Sequence, residues 1–507
     1  MDDVLHVVEA ADLLTPVGAY IRLSAMAAAE SGGRAPSLLL ESVEGGATRG
    51  RYSVIALLPD LVWICRDGAA AIDRAPGTAE SRFVAETAPP LESLRRVHRE
   101  SQMALPPGLP PMIAGLFGYL GYDMVRQMEH LPDAPPDDAG LPDGVMVRPR
   151  LFAVFDSVRD ELVLAVPLRR GGAADQAEAA RLIETARAAL REPVREPRIE
   201  LEPGFALGEP VSNFAPGAFE AAVRRAQDYI AAGDAFQIVP SQRFRVAFPL
   251  PPLALYRALR RINPAPFLFL IELDGFALVG SSPEILVRLR DGVVTVRPLA
   301  GTRPRGETEE EDRTLEADLL ADAKERAEHL MLIDLGRNDV GRVAELGSVT
   351  VPARFVIERY SHVMHISSTV EGRIRSDADA VDALAAAFPA GTLSGAPKIR
   401  AMEIIDELEP TRRGPYAGCV GYFTANGEMD TCIGLRMAVL RDGEMYVQAG
   451  CGVVADSLPA LEEAETRHKA RALFRAAEMA VAGAVEAGAG EMRPRMQAGA
   501  GEGRNPT

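Results

Sequence analysis

Positive charge is in short supply in this chain. Its 507 residues hold 55 Lys and Arg against 72 Asp and Glu, a formal net charge of -17. A polyanionic partner requires a basic footprint, so a nucleic-acid or anionic-membrane surface is not expected. A small acidic substrate would have to find local arginine, lysine or a metal ion. Cysteine is scarce too. Cys65, Cys419, Cys432 and Cys451 show no C-x-x-C spacing, which gives no disulfide framework and suits small buried hydrophobes in a reducing compartment. No run of about 18 uninterrupted apolar residues occurs. The start, MDDVLHVVEAADLL, lacks a basic segment with an apolar core. The expectation is a cytoplasmic globular protein. At 47% hydrophobic residues it can bury a large core, and a prior of about 150 residues per domain gives two or three units.

Residues 1 to about 170 alternate short β-type runs (SLLLES, RYSVIALL, RLFAVFDSV, ELVLAVPL) with turn signals and the proline-rich loops LPPGLPP and LPDAPPDDAGLPDG. A helix over about 174–191 leads into REPVREPRIELEPGF, which reads as a linker between a region 1–195 and a region 205–485. Within the second region, ILVRLRDGVVTVRP and CIGLRMAVLRDGEMYVQAG each place Asp-Gly between alternating runs, a hairpin signal. Antiparallel sheet is therefore expected in quantity. The tail 486–507 has no apolar periodicity and is expected to be disordered.

Two stretches carry acidic residues three apart. DRTLEADLLADAKERAEHLMLIDLGRND, 312–339, reads as one long helix with Leu315, Leu319, Ala323, Ala327, Leu330 and Met331 on an apolar stripe and Glu325 and Glu328 on another face. QAGCGVVADSLPALEEAETRHKAR, 448–471, leads into a helix with Glu462, Glu463 and Glu465 early in it. Spacing of three puts Glu462 and Glu465 on one face. One reading is a capped helix whose dipole favours early acids, each at about 0.3 to 1 kcal/mol. The other aims two carboxylate pairs at a shared cation, for which hard oxygen ligands suit Mg²⁺. Spacing alone leaves both open.

Ordered blocks along the chain resemble the chorismate-utilising enzymes, most closely the anthranilate synthase large subunits. They are LLLES (38–42), GDAFQIVPSQR (233–243), INPAPFLF (262–269), GSSPEILV (280–287), PLAGTRPRG (298–306), KERAEHLMLIDLGRND (324–339), ERYSHVMH (358–365), PAGTLSGAPK (389–398), YAGCVGY (416–422) and the closing QAGCGVVADS with its glutamates. The resemblance implies an interwoven α+β fold, two large antiparallel sheets packed face to face with helices outside and the active site between them. It implies Mg²⁺ held by Glu328 and Glu465, with Glu325 and Glu462 as inner partners. For the substrate chorismate it implies contacts from Arg436, at the end of strand TCIGLR, from Tyr416, from Gly450, Cys451 and Gly452, and from the Gly301-Thr302 turn. Thr392 and Lys398 are further candidates, with plain turn chemistry as the alternative. Cys451 stands where alanine is commoner in the family.

The resemblance also implies a reaction: ammonia attacks ring carbon 2 while the carbon-4 hydroxyl departs, and pyruvate then leaves as the ring becomes aromatic. Glu284 matches the general acid, a role a strand-edge glutamate would not suggest alone. Glu325 is the candidate base, and His365 orients or protonates the departing enolpyruvyl group; His362 with His365 as a metal pair is the alternative. Relatives that activate water carry a lysine where Gln237 stands, and glutamine has no titrating group. A lysine that links covalently to the ring in another relative is replaced by Ala300, which closes that route. An enzyme that stops at the aminated intermediate, or a scaffold that kept the fold without catalysis, stays in view. No cysteine sits in a G-x-C-x-G turn, so ammonia is expected from a separate glutamine amidotransferase subunit. L-tryptophan is the implied feedback inhibitor, at Ser42, Pro266, Phe267 and Leu268, with Leu268 replacing a commoner methionine.

Overall fold

A computed structural model of the chain describes residues 3–491 apart from 34, 45–47, 198, 200, 203 and 361–362. Its strands pair antiparallel, and 21 of them join one hydrogen-bonded network beside a two-stranded ribbon. The α+β expectation holds. Strands from the first third pair with strands from the remainder, so the antiparallel sheet is interwoven along the chain. Ser37–Glu44 pairs with Phe267–Leu273, setting Glu41 opposite Leu268, and Gly115–Leu120 pairs with Cys419–Thr424. Such cross-pairing satisfies backbone groups that would otherwise lie at open strand edges.

Both Asp-Gly hairpins form where expected. Asp291 and Gly292 have φ of 50° and 72°, and Asp442 and Gly443 have 52° and 76°. Positive φ at both positions is what a tight turn between twisted strands requires. The first joins Ile285–Arg290 to Val293–Val296, and the second joins Met437–Arg441 to Glu444–Gly450.

The long helix expected over 312–339 is two helices, Glu309–Ala321 and Ala323–Gly341. Asp322 breaks it: its backbone is extended, and its carboxylate accepts from the amides of Lys324 and Glu325 at 3.0 and 3.2 Å. This is ordinary N-capping by aspartate. The break resets the helical phase, so the single apolar stripe fails. Leu319 is buried, yet Leu330 lies 52% exposed, and the second helix buries His329, Leu332, Ile333, Gly336, Asp339 and Val340 instead.

The last helix, Pro459–Glu491, lies against Pro252–Ile262 and Ala218–Ala232 and buries Ala470, Leu473, Ala476, Ala477 and Val481. Small residues at that face let the helices approach closely, and Leu473→Ala would cost about 2 to 5 kcal/mol. Helical backbone continues to Glu491, six residues into the stretch read as a tail; the rest of that stretch lies outside the described residues. Among the described residues no helix is long and apolar enough to cross a membrane.

Candidate active site

Glu284 sits in the link between strands Phe276–Ser282 and Ile285–Arg290, 7% exposed. Its Oε1 accepts from the Leu299 amide at 3.4 Å and the Thr392 hydroxyl at 3.3 Å. Burial pushes its carboxyl up to about 8, with the negative charge of Glu358 adding to the effect. The group therefore holds a proton at neutral pH, and with Oε1 occupied by donors the proton belongs on Oε2. Glu284 is thereby suited to give a proton away.

Gly301 lies in strand Leu299–Pro304, where the register against Val363–Arg373 slips between Ala300 and Thr302. The Gly301-Thr302 element is thus a strand bulge rather than a turn, and its φ of 68° explains the glycine. The bulge aims the Gly301 carbonyl at His365 Nδ1, 2.9 Å away, with Thr302 Oγ1 at 3.1 Å. A carbonyl only accepts, so Nδ1 carries the hydrogen and Nε2 presents a lone pair. Burial lowers the His365 pKa, and the charge of Arg436 lowers it further.

The two acidic pairs stand at the starts of two helices. Lys324 and Asp456 link those starts at 3.3 Å. Glu325 faces the bulge: a Cβ on Gly301 would come within 3.1 Å of its Oε2, and Arg303 reaches its Oε1 at 3.5 Å. Glu328 accepts from Gln237 Nε2 at 3.1 Å. Gln237 also adjoins Gly452, where a Cβ would fall 2.8 Å from Nε2. On the other helix, Glu465 pairs with Lys469 at 2.6 Å, and Lys469 also donates to the Gly450 carbonyl at 3.0 Å. Desolvation, then Glu328, raises the Glu325 pKa. Desolvation likewise raises that of Glu462, helped by Glu465 and opposed by hydrogen bonds from Ser457 and Cys451. Among the described residues no group of three or more His, Cys, Asp or Glu is gathered closely enough to hold a metal by itself.

Arg436 is not at a strand end. It stands between Met429–Ile433 and Met437–Arg441 with φ of 50°, a conformation that costs a non-glycine residue about 1 to 3 kcal/mol and recurs at functional sites. Its guanidinium makes no hydrogen bond or ion pair to a described residue; burial lowers its pKa, partly offset by Tyr416 and Glu465. Tyr416 lies beside it, its hydroxyl 3.0 Å from where a Gly450 Cβ would stand. Cys451 is fully buried, and burial with Glu462 nearby pushes its thiol well up, so it remains a neutral thiol.

A model of the chorismate binding enzymes matches residues 55–475. The chain belongs to that family. It is 55% identical to the anthranilate synthase component 1 of Cereibacter sphaeroides over 483 residues, 95% of each chain. It is 50% identical to the protein of the same name from Pseudomonas aeruginosa, over 93% of this chain and 94% of that one. Among solved structures, anthranilate synthase component I from Streptococcus pneumoniae superposes with a TM-score of 0.74 at 36% identity, covering 84% of this chain and 92% of that one. The isochorismate synthase MenF from Escherichia coli, at 19% identity and a TM-score of 0.70 over 94% of this chain and 95% of that one, shares the fold.

Within this family member, the sequence-expected site residues divide into three neighbourhoods. Glu284 touches Thr392; His365 touches Gly301 and Thr302, with Glu325 alongside. Gly450, Cys451 and Gly452 join Tyr416 and Glu462 to the Gln237–Glu328 contact. The four inhibitor candidates, Ser42, Pro266, Phe267 and Leu268, line one cavity of about 750 Å³. Lys398 falls elsewhere: it is spent on Asp339 at 2.8 Å and the Ala387 carbonyl, and acts as a structural tie. His362 lies outside the described residues.

The sequence reading passed over Lys469, although its spacing of four from Glu465 is an ion-pair signal. It also missed Arg413, whose guanidinium forms a fully buried pair with Glu409 at 2.6 Å, holds the Leu393 and Val239 carbonyls at 2.7 Å each, and lies over the Tyr416 ring. Glu409 lies just past the end of its helix, so no helical pattern marked that pair.

Proposed function

We propose that this chain converts chorismate and ammonia to anthranilate and pyruvate. The observation that carries the reading is Gln237 Nε2 donating to Glu328: the position that would hold a water-activating lysine is filled by a neutral amide committed to a carboxylate. Ammonia attack on ring carbon 2 is then the chemistry left for the site, and Ala300 offers no covalent alternative.

Arg436, unpaired beside Tyr416, binds the enolpyruvyl carboxylate through a planar fork of donors. Glu284 Oε2 gives its proton to the carbon-4 hydroxyl, which leaves as water while the carbon 2–nitrogen bond forms. Glu325, its proton affinity raised by burial and Glu328, takes the carbon-2 proton as the carbon 3–oxygen bond breaks and the ring becomes aromatic. His365, neutral and with Nδ1 engaged by Gly301, orients the departing enolpyruvate; with no hydrogen on Nε2 it is poorly suited to protonate it, and the enolpyruvate takes its proton from water to become pyruvate.

The donor set fits a magnesium ion. All four groups are carboxylates, and within each pair one glutamate raises the other's proton affinity, a repulsion that a divalent cation relieves. Glu328 and Glu465 would hold it, with Glu325 and Glu462 supporting. When bound, the ion supplies positive charge against the ring carboxylate. The relatives' designation as component 1 supports a second component, a glutamine amidotransferase that supplies ammonia, with both in the cytoplasm. L-tryptophan is the proposed inhibitor in the cavity beside Ser42 and Phe267.

The test is product identity. Purified chain with chorismate, magnesium and ammonium should yield anthranilate fluorescence and pyruvate in equal amounts. Isochorismate, salicylate, or an aminated product that keeps its side chain would contradict the reading.

A further inference from the structure

The inhibitor cavity and the reaction site share a wall. In the pairing of Thr350–Arg359 with Val363–Arg373, Glu358 stands directly opposite His365. Just beyond, Tyr360 is 8% exposed and sets its ring against that of His365, centroids 5.7 Å apart at 63°. Its hydroxyl donates to Glu358 Oε2 at 2.9 Å, Glu358 Oε1 is held by Arg297 at 2.7 Å, and Arg305 fixes the Tyr360 carbonyl at 2.7 Å. Arg297, Glu358 and Tyr360 all line the cavity that Ser42 and Phe267 line.

We propose that Tyr360 is a positioning residue for His365 and that the Arg297–Glu358–Tyr360 chain carries the state of the cavity to the reaction site. The His365 imidazole has two kinds of support: the Gly301 carbonyl and Thr302 hydroxyl at Nδ1 and, second, the Tyr360 ring. The second support is only as firm as the hydroxyl's grip on Glu358. A zwitterionic occupant of the cavity offers a carboxylate to Arg297 and an ammonium to Glu358. Either contact pulls on the ion pair, withdraws the acceptor that Tyr360 uses, and frees the ring to turn away from His365. A ligand can shift the site only by binding the two arrangements unequally, and this ion pair supplies the difference.

The proposal rests on the tryptophan reading of the cavity, and two variants separate the two ideas. Tyr360→Phe keeps the ring and removes the hydroxyl. Its Kd for L-tryptophan, by calorimetry, should stay within about twofold of the parent, while its kcat without tryptophan falls and the fraction of that activity retained at saturating tryptophan rises about fivefold, because binding and coupling are separate free energies. A retained fraction equal to the parent's, or loss of inhibition accounted for by weaker binding, overturns the coupling. Tyr360→Leu removes the ring, and kcat should fall about tenfold with KM for chorismate within about twofold, the mark of a misplaced catalytic group. Unchanged kcat overturns the positioning role. If that variant fails to fold, Tyr360→Phe decides. If the parent binds no tryptophan, the inhibitor reading fails on its own, and the Tyr360→Leu split between kcat and KM still decides whether Tyr360 positions His365.

Discussion

Gln237 Nε2 donates to Glu328 Oε1 at 3.1 Å, joining the two-stranded ribbon to the helix Ala323–Gly341 across 91 residues of sequence. The contact explains why an amide at this position is useful rather than merely inert. It fixes the rotamer of a carboxylate that would otherwise turn into solvent.

Gln237→Leu should therefore weaken magnesium use before it affects folding. Loss of a group that orients a ligand typically costs 10- to 100-fold in metal affinity, so the half-saturating magnesium concentration should rise about tenfold. Steady-state rates across a magnesium titration, with a thermal melt as control, check this.

Glu284 should set the alkaline limb of activity. Its carboxyl is pushed up to about 8 by burial, so the proton it donates is present below that pH and lost above it. With neutral ammonia held constant, kcat/KM should fall as pH rises through about 8, and Glu284→Gln should remove the limb with most of the activity. The same shift bears on stability. The folded-state value exceeds the unfolded one of about 4.3, so the native state holds the extra proton between those values and this group's contribution declines as pH rises across that window. Glu284→Gln should therefore melt higher than the parent at pH 9, and by less at pH 5.

Arg436 should show stability and activity moving in opposite directions. Arg436→Gly accepts φ of 50° without strain and removes a partly buried cation that makes no ion pair to a described residue, which should stabilise the fold by about 1 kcal/mol while chorismate turnover collapses. Arg436→Lys keeps the charge and loses the fork, so KM for chorismate should rise more than kcat falls. Denaturant melts and initial rates on both variants check the pair of outcomes.

Breaking the Arg413–Glu409 pair should be costly, since each side chain is 2% exposed. Arg413→Met leaves a buried carboxylate without its partner and frees two backbone carbonyls, a change worth about 3 to 5 kcal/mol. Chemical denaturation of the variant gives the figure directly.

These sites differ in how far the sequence revealed them. The two Asp-Gly hairpins followed from local turn chemistry, which is short-range and strong. The acidic pairs were visible from spacing, but their role was not, because a capped helix start and a ligand pair use the same residues. The helix break at Asp322 was missed because aspartate is both a helix-surface residue and an N-cap, and only its contacts with the Lys324 and Glu325 amides show which role won. Arg436 was placed at a strand end because TCIGLR alternates like a strand; positive φ leaves no pattern in side-chain polarity. Glu358 and Tyr360 lay within the ERYSHVMH block but had no role assigned to them, since their meaning depends on a register with His365 that pairing alone creates.

Metal stoichiometry tests the central claim that Glu328 and Glu465, from separate helices, serve one cation. Manganese can replace magnesium at oxygen sites and is counted by electron paramagnetic resonance. In the presence of chorismate the parent chain should bind one Mn²⁺, and Glu328→Gln and Glu465→Gln should each lose it while melting within a few degrees of the parent. Retention of a full-affinity ion by either variant, or two independent ions in the parent, would contradict the account.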